Sequence, residues 1–342
     1  MSRRKIIAAC VASLALSLSA CGSSDDKSSD DKVPKASSSS THSGDKSSVP
    51  GGKTSASGDK NALSLDVKGK VPVIKFPQGD APKDLTVTVL EEGKGATITE
   101  EDLVVADYVG QVWGKNEPFD SSFKRGTPLM TQLSGVVKGW AKGLAGHKVG
   151  AKLLVTIPPS LGYGQTGQPE AGIGKNDVIT FYIDVHQASN KQTAGQANAR
   201  DKMDVAKLPI TIQGAKGSPV TGLKVKDTSA KISKKSVSVI AKGNGPKVGK
   251  SGTITVAYAA IAPNGENFET TWGAQGQGPQ FIPIGNGTVF DSLVGTPVGS
   301  RAFITVPAVT GDGQRPSTPA MYAVVDILGY VREGDNPQQT GK

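Results

Sequence analysis

The feature that most constrains the fold of this chain is an internal repeat. Three pairs of matching segments begin at residues 87 and 237, 104 and 254, and 143 and 292, so the offset stays at 149–150. For the segments that begin at 179 and 321 the offset falls to 142, so the second copy is shorter just before its last strand. Self-similarity at a fixed offset predicts two copies of one structural unit.

Each copy is built from short β-branched or alternating runs that glycine and proline interrupt. In the first copy these runs are "LTVTVL", "LVVADYVGQVW", "KLLVTIP" and "VITFYIDV", which predict strands of an antiparallel sheet. The 43 glycines and 21 prolines agree with turn-rich β structure. Only "KGWAKGL" favours a helix, of about two turns. The predicted fold class is α+β, with two domains that each wrap a curved antiparallel sheet around one short helix.

The helical segment contains Trp140, one of only three tryptophans. Its glycines make it a poor helix, and a buried helix would favour Leu or Ala at this position. We therefore interpret the indole as the flat floor of a pocket, with an ordinary core position as the alternative.

The first residues have the pattern of an export signal. A basic "MSRRK" precedes the apolar run "IIAACVASLALSLSA", which is shorter than a spanning helix of ~20 residues requires. Cys21 follows "LSA" and resembles the cysteine of a bacterial lipobox, which carries lipid. This predicts an extracytoplasmic, membrane-anchored lipoprotein; the alternative is an ordinary secreted protein.

These patterns divide the chain into six parts. Residues 1–20 are a signal peptide, and 21–61 are the lipidated cysteine and a tether too polar to fold. The two domains span 62–188 and 204–332, joined by a polar linker at 189–203 and followed by a tail at 333–342. After cleavage Cys21 would be the only cysteine, so no disulfide is expected within the chain.

Several classes of function are not expected from the composition. The 39 basic and 30 acidic residues are interspersed, which favours a solvated surface over a nucleic-acid partner. The three histidines lie in the tether, a loop and a strand end, which predicts no metal site. No nucleophile elbow is present either.

Five motifs of the first copy occur in order over about residues 85–188: "YVGQV", "EPFDSS", "VVKGWAKGLAGHKVGAK", "IPPSLGYG" and "VITFYIDV". Together they resemble the FKBP-type peptidyl-prolyl cis-trans isomerases. The second copy, about 235–332, resembles the same family more distantly. The resemblance implies prolyl isomerisation without a cofactor. The implied partners are X-Pro segments of exported polypeptides, macrolide inhibitors and the membrane, through lipid on Cys21.

The resemblance also implies an apolar cup that takes a proline ring. Its floor would be Trp140. Its walls would be Tyr108, Phe119, Leu129, Val136, Val137, Ile173 and Phe181, and its polar rim Asp120, Arg125 and Tyr163. Tyr163 would hold a substrate carbonyl and Arg125 would orient Asp120. Asp120 would face the twisting carbonyl carbon, or would only pin its loop.

Both copies depart from the family pattern, the second much further. In the first, Leu129 replaces an aromatic wall and Gln168 a histidine. In the second, Glu269 replaces the aspartate, Val289 or Phe290 stands at the tryptophan position, and "VTGDGQRPSTP" has no tyrosine. We expect the second copy to be structural or client-binding.

Two other functions remain as alternatives. One is a non-catalytic FKBP-like lipoprotein that binds clients or scaffolds a partner. The other is a solute-binding lipoprotein, which would require doubly wound α/β lobes and fits the β-rich repeats poorly.

Overall fold

The computed structural model describes residues 62–310 and 319–334. The predicted signal peptide, Cys21 and the tether through residue 61 lie outside the described residues. The described residues form two large antiparallel sheets, one in each repeat, and two small hairpins.

The first repeat contains a hairpin and a six-stranded sheet. Its strands are β1 (Ser64–Asp66), β2 (Val73–Lys75), β3 (Thr86–Glu91), β4 (Leu103–Val112), β5 (Pro118–Ser121), β6 (Leu129–Gln132), β7 (Lys152–Ile157) and β8 (Ile179–Ser189). Strands β1 and β2 form the hairpin, and the sheet has the order β3-β7-β8-β4-β5 with β6 beside β4.

Two α-helices lie in the described part of this repeat. Helix α1 (Ser122–Arg125) is a single turn that sequence analysis did not predict; Ser121 caps its start and Gly126, at φ 74°, ends it. Helix α2 (Lys138–Leu144) is the predicted short helix. Three 3-10 turns complete the repeat, at Leu133–Gly135, Pro159–Leu161 and Pro169–Ala171.

The glycines of α2 allow the helix to approach the sheet closely. A Cβ atom on Gly139 would lie 2.3 Å from Ile157 Cγ2, and one on Gly143 would lie 2.5 Å from Val155 Cγ1. Because both distances are far below van der Waals contact, the helix requires glycine at both positions. The two glycines also lower the helix propensity of α2. Burial of Trp140 and Leu144 against the sheet offsets this loss.

The second repeat has a hairpin and a seven-stranded sheet that includes two short pieces. Its strands are β9 (Arg200–Asp201), β10 (Ile210–Gln213), β11 (Gly222–Val225), β12 (Ser236–Lys242), β13 (Gly252–Ile261), β14 (Glu269–Thr270), β15 (Gln280–Ile284), β16 (Arg301–Val306) and β17 (Met321–Val331). Strands β10 and β11 form the hairpin, and the sheet has the order β14-β13-β17-β16-β12-β9 with β15 beside β13.

The expectation of one short helix in each copy is wrong for the second. Among its described residues the only helical turns are 3-10, at Val205–Lys207 and Val289–Leu293. The turn at 289–293 stands where α2 stands in the first copy, and it is only five residues long. Asp291 accepts hydrogen bonds from the N–H groups of Gly285 and Gly287, at 2.9 and 2.7 Å, which ties this turn to the preceding loop.

The two sheets share irregularities as well as strand order. The register of β3 with β7 shifts between Val89 and Glu91, and that of β12 with β16 shifts between Val239 and Ala241. The pairing of β4 with β8 shifts after Val105, and that of β13 with β17 after Thr255. These bulges recur at the offset of the sequence repeat, and bulges bend and twist the strands that carry them.

The segment that sequence analysis interpreted as a linker is attached to both repeats. Asn190 Nδ2 donates to Asp102 Oδ1 of the first repeat at 3.0 Å. The Trp272 indole N–H donates to the Thr193 carbonyl at 2.7 Å, and the Gly195 N–H donates to Asp326 Oδ2 at 2.7 Å. Strand β9 then pairs with β12.

The two repeats also meet directly through Gln187 of β8. Thr255 Oγ1 donates to Gln187 Oε1 at 3.4 Å. A Cβ atom on Gly329 would lie 1.7 Å from the same oxygen, so the Gln187 side chain occupies the space beside this glycine. None of the helices in the described ranges is long and apolar enough to cross a membrane.

Candidate functional site

The side chain of Trp140 lies at the base of an aromatic cluster on the face of the first sheet that α2 covers. Trp140 is only 2% exposed. Its ring centroid lies 5.5 Å from that of Tyr108 and 5.4 Å from that of Phe181, with interplanar angles of 87° and 82°. Edge-to-face contacts of this kind fix the rings relative to one another.

Phe119 of β5 extends this cluster toward the rim. Its ring meets that of Phe181 edge to face, with centroids 5.6 Å apart and an angle of 89°. Both rings pack over Gly110, where a Cβ atom would lie 2.6 Å from Phe119 and 2.7 Å from Phe181. The glycine of "YVGQV" therefore makes room for two aromatic walls.

The aliphatic residues predicted for the pocket pack against the same core. Ile173 is 1% exposed, on the loop between β7 and β8. The other aliphatic residues are partly buried, namely Leu129, Val136 and Val137, and the rim residue Tyr163 packs against the same cluster. The structure thus brings every residue assigned to the cup from the sequence against one cluster or onto its rim.

The Tyr108 hydroxyl reaches the polar rim and forms one hydrogen-bonded group with Asp120 and Arg125, whereas Tyr163, also at the rim, lies outside this group. The Tyr108 hydroxyl donates a hydrogen bond to Asp120 Oδ2, and Arg125 Nη1 donates to Asp120 Oδ1. Arg125 Nη2 donates to the Tyr108 hydroxyl at 3.0 Å, and the guanidinium lies 5.3 Å from the Tyr108 ring centroid. Each charge therefore has a partner, and the carboxylate is held at the mouth of the cup.

The two rim tyrosines differ in their hydrogen bonding. Burial, and after it the hydrogen bond to Asp120, raise the pKa of Tyr108 to about 12. Burial and the Asp120 charge also raise the pKa of Tyr163. In the described part of the chain the Tyr163 hydroxyl has no hydrogen-bond partner, whereas that of Tyr108 has two.

A buried polar group behind the cup was missed by sequence analysis. Asp107 is 2% exposed and accepts hydrogen bonds from Ser122 Oγ at 2.6 Å and His186 Nε2 at 2.8 Å. Ser122 Oγ accepts the Tyr108 N–H at 2.9 Å. The alternation in "VVADYVG" places Asp107 on the face opposite to Tyr108, which is the only sequence signal for this role.

The matching position in the second repeat lacks most of the cup. Tyr258 and Phe290 form one tilted pair with centroids 6.1 Å apart. The strand pairing places Ala323 opposite Ala260, as Phe181 is opposite Gly110. Phe268, the counterpart of Phe119, is 41% exposed. Most of "VTGDGQRPSTP" lies outside the described residues.

The first repeat therefore combines an aromatic and aliphatic cluster with a small group of polar side chains at its edge. No group of three or more His, Cys, Asp and Glu side chains within residues 62–310 and 319–334 is arranged to hold a metal ion. The groups that this site presents are apolar side chains, hydrogen-bonding hydroxyls and the ion pair of Asp120 with Arg125.

Comparison with known proteins shows which protein family the first repeat resembles. The family model for FKBP-type peptidyl-prolyl cis-trans isomerase matches residues 94–186. The chain is 36% identical over 116 residues to the FK506-binding protein of Streptomyces anulatus, covering 33% of this chain and 94% of that protein. It is 37% identical over 117 residues to a probable FK506-binding protein of Corynebacterium glutamicum, covering 34% of this chain and 98% of that protein.

A longer relative is similar over part of its length. The chain is 36% identical over 149 residues to the FKBP-type peptidyl-prolyl cis-trans isomerase FkpA of Escherichia coli, covering 42% of this chain. The match spans 54% of that protein, about half of its length. The chain belongs to the FKBP-type peptidyl-prolyl cis-trans isomerase family, a family of enzymes.

Proposed function

We propose that the first repeat catalyses cis-trans isomerisation of X-Pro bonds in exported polypeptides, and that the chain is an extracytoplasmic lipoprotein anchored through Cys21. The observation that carries the catalytic part is the edge-to-face cluster of Trp140, Tyr108 and Phe181 beneath the rim of Asp120, Arg125 and Tyr163. The second repeat, with one aromatic pair in place of that cluster, is proposed to be non-catalytic.

The reaction requires no covalent chemistry from the protein. An X-Pro bond crosses a barrier of about 18–20 kcal/mol because amide resonance is lost in the twisted state. A site accelerates the reaction when it binds the twisted amide more tightly than either planar isomer. An apolar cup contributes by removing water that stabilises the polar planar amide.

The rim groups have separate roles in this proposal. Tyr163, with its free hydroxyl, donates to a substrate carbonyl. Asp120 places negative charge beside the twisting amide, and Arg125 and Tyr108 fix its orientation. Each 1.4 kcal/mol or so of preference for the twisted state gives tenfold in rate.

The test is catalysed isomerisation of a short X-Pro peptide by the purified chain. Tyr163→Phe removes one hydrogen bond and should lower kcat/KM about two- to tenfold. Asp120→Asn should lower it as well, while Phe290→Leu, at the matching element of the second repeat, should leave it unchanged. A folded wild-type chain without activity would instead support the non-catalytic, client-binding function.

Two further measurements test the other parts. A macrolide of the family's inhibitor class should raise the melting temperature of the chain, since a ligand that binds only the folded state stabilises it. Cys21→Ala should release the protein from membranes of the producing cell. If the variant stays membrane-bound, the lipid anchor is wrong.

A further inference from the structure

A second cavity, separate from the aromatic cup, lies at an edge of the second sheet. It has a volume of about 570 Å³ and lies beside β14, between the tip of the β10–β11 hairpin and the loop after β14. We call it the edge groove. Its lining includes Gln192, Pro219, Val220, Phe268, Glu269 and Trp272.

The base of the edge groove is buried and apolar. Val220 and Trp272 are 0% and 2% exposed, and the Trp272 indole is fixed by its 2.7 Å hydrogen bond to the Thr193 carbonyl. Phe268 at the rim is 41% exposed, whereas its counterpart Phe119 packs on the core of the first repeat. The groove therefore presents an aromatic ring that the fold itself does not cover.

Glu269 is the one charged residue that lines the edge groove. It is the structural counterpart of Asp120: Ala260 pairs with Glu269 as Gly110 pairs with Asp120. Arg125 follows Asp120 by five residues and neutralises it. The residue five positions after Glu269 is Ala274, which also lines the groove.

The negative charge of Glu269 is consequently uncompensated. Across residues 62–310 and 319–334, no lysine, arginine or histidine forms an ion pair with it. Desolvation raises the pKa of its carboxyl group. Burial, and after it the Glu269 charge, raise the pKa of the neighbouring Tyr258 to about 12. A cation bound beside the Glu269 carboxylate would favour its charged form and so lower its pKa.

We propose that the edge groove binds a peptide segment in which a lysine or arginine adjoins an apolar side chain. The cation meets Glu269, in the role that Arg125 has toward Asp120, and the apolar side chain covers Phe268 and the groove base. This site goes beyond the isomerase function and does not depend on it, because none of its residues belongs to the cup.

The experiment measures binding of two fluorescent, proline-free octapeptides to the purified chain. One carries a central Leu-Lys-Leu and the other a central Leu-Gln-Leu. The lysine peptide should bind about three- to fivefold more tightly at low salt, and the difference should shrink as salt is added. Equal affinity for the two peptides, or no binding, would overturn the proposal.

Two variants and one control assign the effect to the groove. Glu269→Gln should remove the preference for lysine and leave the affinity for the glutamine peptide unchanged. Phe268→Ala should weaken binding of both peptides. Glu266→Gln, which changes another exposed carboxylate three residues away, should have no effect. If Glu269→Gln and Glu266→Gln behave alike, Glu269 is not the cation site.

A saturating macrolide serves as the second control. It should leave binding of the lysine peptide unchanged, because it would fill only the cup of the first repeat. Displacement of the peptide by the macrolide would place the peptide in that cup and contradict the edge groove. Isomerase activity is read separately on the X-Pro peptide, so the failure of one proposal does not resemble the failure of the other.

Discussion

The hydroxyl of Ser122 donates a 2.6 Å hydrogen bond to the carboxylate of Asp107. The same oxygen accepts the N–H of Tyr108 at 2.9 Å, so one buried side chain connects α1 to the strand that carries a rim tyrosine. In the second repeat Thr271 accepts the Tyr258 N–H at 2.8 Å, but Ala257 stands at the position of Asp107. A buried carboxylate at this strand position is thus found in the first repeat and not in the second.

Ser122→Ala should lower the free energy of unfolding by about 1–3 kcal/mol. The substitution leaves the Tyr108 N–H without its acceptor and Asp107 without one donor, and both groups are buried. Urea unfolding of the chain measures the change. Thr86→Val, which removes an exposed hydroxyl from β3, should stay within about 0.5 kcal/mol of wild type. Equal stability of the two variants would show that the Ser122 bonds add nothing.

Gly139→Ala should destabilise the first repeat although alanine is the better helix former. The added methyl group would lie 2.3 Å from Ile157, so the helix must move away from the sheet. Overpacking of this kind costs about 1–3 kcal/mol. Lys142→Ala, on the exposed face of the same helix, is the matched control and should be neutral or slightly stabilising. A stabilised Gly139→Ala would show that the close approach is not required.

Asp184→Asn should stabilise the chain at neutral pH by less than about 1 kcal/mol. Burial raises the pKa of the Asp184 carboxyl group, against the opposing influence of His186 and Lys152. The folded state therefore holds this proton more tightly than the unfolded state. Ionisation of Asp184 thus opposes folding above its folded pKa, and this opposition fades as the pH falls.

Unfolding midpoints measured between pH 4 and pH 8 test this dependence. The advantage of Asp184→Asn over wild type should be largest near pH 8 and should shrink toward pH 4. Asp80→Asn changes an exposed carboxylate and should show no such trend. A gain that is the same at every pH would exclude ionisation as its cause.

Gly329→Ala should disturb the contact between the repeats, since its methyl group would overlap Gln187 Oε1. Gln187→Ala should cost little alone, because its side chain makes two part-buried hydrogen bonds, at 3.1 Å to Ser189 Oγ and at 3.4 Å from Thr255 Oγ1. The double variant should regain most of the stability that Gly329→Ala loses. A double-mutant cycle from thermal unfolding gives the coupling. Additive effects would mean that the two residues do not meet.

The repeat offset predicted the larger part of the fold. It implied two sheets of the same design, and the structure places even their bulges at equivalent positions. The cup could be assigned because five motifs fell in order along one copy. The short helix of the second copy was predicted wrongly, because a similar sequence offset does not show whether five residues close α or 3-10 hydrogen bonds.

The remaining features depend on contacts between residues distant in the chain. Asp107 and His186 are 79 residues apart and meet only because β4 pairs with β8. The polar composition of residues 189–203 indicated a linker, since composition cannot reveal that this segment forms hydrogen bonds with Trp272, which donates to it, and Asp326, which accepts from it. The structure was likewise needed to show that Glu269 has no ion pair among the described residues. Ala274 stands five positions after Glu269, as Arg125 stands five positions after Asp120.

Because β9 pairs with β12, the second folded domain begins earlier in the chain than the duplicated sequence does. The duplicated stretch of sequence begins well after residue 201, yet Arg200 and Asp201 form the outermost strand of the second sheet. A gene fragment cut at the sequence repeat would therefore encode a second domain with an uncovered edge. A fragment that keeps the second sheet intact must begin ahead of Arg200, so the folding unit is longer than the stretch of sequence that was duplicated.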